Sequence, residues 1–124
     1  MPKIFSQLNN SIFYSFNDKK DYYLLLIMEK SNLIWLNGEF VNWEDANISV
    51  MSHTLHYGTG VFEGIRARDS KIGTTIFRLP DHVDRLFDSA EAYNLKIPYE
   101  KEIISNAIKD SVHLNNLSSA YIRQ

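Results

Sequence analysis

The stretch HYGTGVFEGIR, residues 56–66, sets Gly58, Gly60 and Gly64 among an aromatic pair, a carboxylate and an arginine. Glycine lets backbone turn or approach a ligand closely, while Tyr57, Phe62, Glu63 and Arg66 supply apolar walls and charged hydrogen-bonding groups beside it. From Val61 the residues alternate: Val61, Glu63, Ile65 and Ala67 fall on one face, Phe62, Gly64, Arg66 and Arg68 on the other. That period of two predicts a strand over 61–68, a turn from Asp69 to Gly73 and a return strand from Thr74 to Leu79. The same order argues against a dinucleotide loop, whose glycines follow a buried strand and open a helix.

Upstream, Leu33 to Leu36 and Glu39 to Trp43 flank Asn37-Gly38, a strong two-residue hairpin signal. Asp45 to His53 read as a loop or short strand, and Thr54 to Gly58 as one helical turn. Downstream, Pro80 suits the first position of a helix, with Asp81 and Asp84 near the positive end of its dipole. Val83, Leu86, Phe87, Ala90 and Tyr93 recur at helical spacing until Asn94 ends the run. After Pro98, Ile103, Ile104, Ala107, Ile108 and Val112 mark a second amphipathic helix that stops near Asn115-Asn116. Ser118 to Arg123 then reads as a strand. Strands followed by helices and a returning strand predict an α+β fold, a mainly antiparallel sheet with two amphipathic helices on one face.

The chain has 124 residues, a net charge of -2 and no cysteine. This length accommodates about one domain. A basic surface for nucleic acid or an anionic membrane is not expected, and disulfides and thiolate chemistry are excluded. A reducing, cytoplasmic setting fits. The apolar run Tyr22 to Met28 is far short of the ~20 residues that cross a bilayer, and no signal-peptide cleavage site follows it. Residues 1–30 are therefore expected to be an N-terminal extension, with Met28 as a candidate true start, and residues 31–124 to form the domain.

Among groups that carry chemistry, Arg85 lies between the core positions Val83 and Leu86. Its planar fork suits phosphate or carboxylate, although spacing alone favours a surface ion pair with Asp81, Asp84 or Asp88. Arg123 by itself reads as an edge-strand charge. His53 and His56 lack a third ligand for a zinc pattern, so the histidines are expected to be structural or hydrogen-bonding residues and no metal is expected.

Together, WLNGEFVNWEDANISVMSHTLHYGTGVFEGIR, FRLPDHVDRLFDSA and LNNLSSAYIR closely resemble the N-terminal domain of branched-chain amino-acid aminotransferases, class IV enzymes of the fold-type IV pyridoxal-phosphate group. The resemblance spans about residues 33–123. It implies transfer of an amino group between leucine, isoleucine or valine and 2-oxoglutarate or glutamate, with pyridoxal 5'-phosphate on a catalytic lysine, in a dimer-based homo-oligomer. On the matching positions it implies that Arg85 holds the cofactor phosphate. Phe62 and Gly64 become walls of the apolar pocket, and Tyr57 a pocket residue that can be contributed across a dimer interface. Tyr121 and Arg123 become the strand pair lining the substrate site, the arginine accepting glutamate's distal carboxylate. Glu63 and Arg66 are expected only to shape the strand or pair within it.

The catalytic lysine, the acidic partner of the pyridine nitrogen and the glycine-rich cofactor loops belong to the family's larger C-terminal domain. None of Lys71, Lys96, Lys101 or Lys109 sits in a matching motif, so these residues alone are expected to be catalytically inactive. Within the same fold, D-amino-acid aminotransferase and aminodeoxychorismate lyase are the nearest alternatives. A non-catalytic binding or dimerising module is the alternative from a different class.

Overall fold

Asn37 and Gly38 have φ of 53° and 98°, the pair of positive values that a type I′ hairpin turn requires. They join β1 (Leu33–Leu36) to β2 (Glu39–Asn42) as an antiparallel ladder running from Leu33 opposite Asn42 to Leu36 opposite Glu39. The structure, a computed structural model, describes residues 31–124. The expected extension over residues 1–30 and the start at Met28 lie outside the described residues. A 3-10 turn over Trp43–Asp45 follows the hairpin, and α1 (His53–Tyr57) is the single helical turn expected before Gly58.

The strands form two sheets rather than one. Beside the β1–β2 hairpin stands a three-stranded antiparallel sheet in the order β4-β3-β5, with β3 (Gly64–Arg68) central, β4 (Thr75–Ile76) short, and β5 (Ala120–Arg123). Its long ladder pairs Gly64 with Arg123, Ile65 with Ile122, Arg66 with Tyr121 and Ala67 with Ala120. Four expected strands are shortened: the second ends at Asn42 rather than Trp43, the last begins at Ala120 rather than Ser118, and the two in between lose more. The ladder partner of β3 begins opposite Gly64, so Val61 to Glu63 precede the strand. The return strand stops at Ile76 because Arg78 takes a positive φ of 48° and starts a helix.

That helix, α2 (Leu79–Ala92), places Pro80 second rather than first and buries Leu79, Val83, Leu86 and Ala90. The other long helix, α3 (Lys101–Leu114), buries Ile104, Ala107, Ile108 and Val112. Both faces meet β3, where Ile65 is fully enclosed with Leu79, Val83, Leu86, Ile104 and Ile108 around it. The α+β fold with two amphipathic helices on one face of the antiparallel sheet therefore stands. Tyr93, assigned to the apolar stripe from spacing, is instead exposed at the helix end.

Both helices terminate alike. Asn94 and Asn116 adopt left-handed φ of 52° and 53°. Each donates to the carbonyl three residues back, while Leu95 and Leu117 donate to Ala90 and Val112 carbonyls, 2.9 and 3.0 Å away. These are Schellman endings, with asparagine in the position usually held by glycine.

One side chain joins the hairpin to α3. Asn115 Oδ1 accepts from the Asn32 and Leu33 amides, both at 2.8 Å, and its Nδ2 donates to the carbonyls of Leu33 at 3.0 Å and Ser111 at 2.8 Å. Trp35 adds an edge-to-face contact with Tyr99, ring centroids 5.0 Å apart. Asn115→Ala strands the partly buried Leu33 amide and the Leu33 and Ser111 carbonyls, and an expected loss of about 2 kcal/mol follows from the cost of unmade hydrogen bonds. Urea denaturation checks it; a midpoint unchanged from wild type contradicts it.

Candidate functional site

The alternation along β3 divides the chemistry between the two faces of the sheet. Residues paired directly across an antiparallel ladder share a face. Gly64, Arg66, Tyr121 and Arg123 thus occupy the face turned away from the helices, and Phe62 continues it. Glu63 belongs with Ile65 and Ala67 on the helix-covered face.

On the open face, Phe62 and Tyr121 are exposed aromatic surfaces. The Arg123 guanidinium lies 4.6 Å from the Phe62 ring centroid and 5.3 Å from that of Tyr121, a cation–π cluster. Its Nε is buried and carries no hydrogen bond among the described residues. Gly64 makes the cluster possible by its missing side chain: a Cβ there would stand 3.0 Å from Tyr121 Cζ and run into the Tyr121 hydroxyl. The arrangement offers apolar surface and an available cation side by side.

On the helix-covered face, Glu63 is buried beside residues of α2. Arg85 donates from Nε to Glu63 Oε1 at 2.7 Å and from Nη2 to Glu63 Oε2 at 2.6 Å. His82 Nδ1 lies 2.8 Å from Glu63 Oε2 and 3.3 Å from Arg85 Nη2. A carboxylate only accepts and a guanidinium only donates, so the shorter contact requires Nδ1 to carry the proton and donate to Glu63. The Arg85 side chain remains 64% exposed although its partner is buried, which leaves its outer edge accessible.

The Arg85 hydrogen bonds, followed by those from His82, hold the Glu63 carboxyl well below its ordinary value of 4.5, to about 2, although burial opposes this. In return Glu63 raises Arg85. A depressed carboxyl pKa contributes stability that is present above pH 4.5 and lost as pH falls toward 2. The expected result is an acid-side loss on the order of 2 kcal/mol that Glu63→Gln abolishes. Urea midpoints measured from pH 6 to about pH 2.5 check it. Parallel pH profiles for wild type and variant contradict it.

This pairing replaces the expected ion pair of Arg85 with aspartates on its own helix. Asp81 instead takes Arg78 at 2.8 Å and Asp84 takes Lys101 at 2.7 Å. Glu63, expected to pair within its strand, reaches across to α2. The structure gathers Phe62, Gly64, Tyr121 and Arg123 into one wall and puts Arg85 beside the neighbouring Glu63. It leaves Tyr57 apart, 74% exposed, with its ring against His53 and His56.

The remaining histidine contacts are local. His53 meets the Thr59 hydroxyl and His56 the Val50 carbonyl. Among the described residues no group of three or more His, Cys, Asp or Glu could hold a metal, and no helix is long and apolar enough to cross a membrane. A groove of about 790 Å³ lined by Ile76, Leu79, Lys109 and Val112 includes none of the wall residues or Arg85.

Glu63 and His82 are the residues that sequence reasoning left without a site role. The available signal was a carboxylate between Val61 and Ile65 on an apolar face, which demands a cation, with His82 and Arg85 one helical turn apart.

Residues 60–124 match the family model described as amino-transferase class IV. The branched-chain-amino-acid aminotransferase of Pseudomonas aeruginosa is 55% identical over 95 residues, and that of Escherichia coli is 50% identical over 95 residues. Each alignment takes in 77% of this chain and 31% of the relative, so the chain spans about a third of the length of these relatives. The solved T.th. branched-chain amino acid aminotransferase complexed with N-(5'-phosphopyridoxyl)-L-glutamate superimposes with a TM-score of 0.75 at 50% identity, over 77% of this chain and 32% of that one. The branched-chain aminotransferase of Thermoproteus uzoniensis with norvaline gives 0.72 at 42% identity, over 76% and 32%.

Proposed function

The chain belongs to the class IV aminotransferase family, and on that footing we propose that it provides the N-terminal portion of a branched-chain amino-acid aminotransferase. The reaction moves an amino group between leucine, isoleucine or valine and 2-oxoglutarate. The observation that carries this reading is the Arg123 guanidinium stacked on Phe62 at 4.6 Å, beside the gap left by Gly64. A branched aliphatic side chain gains about 25 cal/mol per Å² on burial against such a wall, whereas glutamate's distal carboxylate needs a charge-assisted partner. One wall serves both.

Arg85 is the residue proposed to hold the phosphate of pyridoxal 5'-phosphate. Its donor set fits a phosphate monoester, because the guanidinium plane is fixed from behind and its outer edge is exposed. When bound, this cofactor supplies the electron sink, while the protein's residues orient the substrate and balance its charge. Tyr121 borders the side-chain pocket with Phe62 and Gly64. Exposed Tyr57 is proposed to reach the pocket of a second copy in a homo-oligomer. Residues 31–124 are proposed as the N-terminal domain of this enzyme, acting in the cytoplasm.

A chimera in which residues 33–123 replace the matching segment of the Escherichia coli relative tests the reading. Expected is leucine transamination with 2-oxoglutarate, abolished by Arg85→Met and losing glutamate more than leucine in Arg123→Met. A folded, cofactor-loaded chimera that turns over D-alanine but not leucine would move the assignment to D-amino-acid aminotransferase. Elimination of aminodeoxychorismate without any transamination would move it to the lyase.

A further inference from the structure

Glu63 is left without a task by the activity proposed above, yet it is held from two directions. Its amide donates to the Gln124 carbonyl at 3.1 Å and its carbonyl accepts from the Gln124 amide at 3.4 Å, which anchors it to the chain next to Arg123. Its carboxylate occupies both Nε and Nη2 of Arg85. Two parallel hydrogen bonds fix the plane of a guanidinium as well as its position. The edge carrying Nη1, which makes no hydrogen bond among the described residues, is thereby set facing outward.

Charge alone would not select this arrangement. A carboxylate beside an anion subsite repels the anion, so its removal should tighten phosphate binding if electrostatics were its only effect. Orientation predicts the opposite sign. We propose that Glu63 is the positioning residue of a phosphate subsite: its buried carboxylate holds Arg85 with the Nη1 edge toward a phosphate monoester, and its backbone ties that subsite to the strand bearing Arg123. His82 completes the grip on the second carboxylate oxygen. The inference rests on the reading of Arg85 given above and assigns the residue that makes that arginine directional.

The full chain is titrated with pyridoxal 5'-phosphate and with pyridoxal, and the dissociation constant for pyridoxal divided by that for pyridoxal 5'-phosphate gives the contribution of the phosphate. Glu63→Gln, nearly isosteric, is expected to lower that ratio about tenfold despite losing a negative charge. In the Arg85→Lys background, which has no fork to orient, Glu63→Gln is expected to cost nothing. Nitrogen-15 NMR of the Arg85 guanidinium supplies a measurement that needs no Glu63 variant: slow rotation about the Nε–Cζ bond is expected in the wild type. A wild-type chain without preference for the phosphorylated ligand, or a preference surviving Arg85→Met, overturns the Arg85 reading and this inference with it. A preference lost in Arg85→Met but kept or increased in Glu63→Gln overturns the role of Glu63 alone, as does a freely rotating wild-type guanidinium.

Discussion

Gly64→Ala is expected to break the open-face wall while leaving most of the fold in place. The added methyl collides with the Tyr121 hydroxyl, closer than real side-chain carbons approach, and sits a tight 3.0 Å from its Cζ. The contacted atoms are the far end of a side chain, so Tyr121 swings away before the ladder separates. Moving it also withdraws one of the two rings packed on Arg123. The stability cost should be about 1–2 kcal/mol, the range for overpacking that a movable group relieves. The larger effect falls on selection of substrate: at least a tenfold loss in kcat/KM for leucine is expected in the chimera, equivalent to about 1.4 kcal/mol of transition-state binding. Adding Tyr121→Phe removes the colliding hydroxyl but not the close ring carbon, so it should restore only part of the loss. Unchanged leucine kinetics in the single variant would refute the close approach as a determinant of the wall.

Ile65→Ala acts from the opposite face and should produce the largest loss of stability. Ile65 has no exposed surface and lies against Leu79, Val83, Leu86, Ile104 and Ile108, where both long helices meet the sheet. Truncation there removes buried methylene groups and leaves a cavity that the flanking helices can close only in part, at a cost of about 3 kcal/mol. For a domain of this size, that corresponds to a fall in Tm of roughly 12–24 °C. Differential scanning calorimetry checks it. A fall of less than about 4 °C, equivalent to 1 kcal/mol or less, would mean that the helices collapse onto the sheet without it.

Features written in short segments were legible in the sequence. Asn37-Gly38 announces its turn because few residue pairs accept two positive φ values, and Asn94 and Asn116 end their helices for a related reason. The stripe Val83, Leu86, Ala90 locates the buried side of α2 without reference to anything beyond the helix. Glu63 is different. Its partner comes from α2, and the aspartates near Arg85 in sequence offered a local alternative that the fold assigns to Arg78 and Lys101 instead. The extent of β3 escapes local reading for the same reason, since alternation runs back to Val61 but the ladder with β5 starts at Gly64. The candidate wall was visible through family likeness and not through spacing: nothing local in AYIR announces that Arg123 stacks on Phe62.

The ladder between β3 and β5 also bears on the order in which the molecule assembles. Gly64 pairs with Arg123, so the partner of the central strand is synthesised only after both long helices. Until then β3 has only β4 beside it, joined over Ala67–Ile76 and Arg68–Thr75. Closing so long a loop is an entropic cost that precedes the reward of pairing, which makes it a late event in folding. A ribosome-bound chain would therefore carry an open edge on β3 until β5 emerges, and the cluster of Phe62, Tyr121 and Arg123 would form only when those two strands pair.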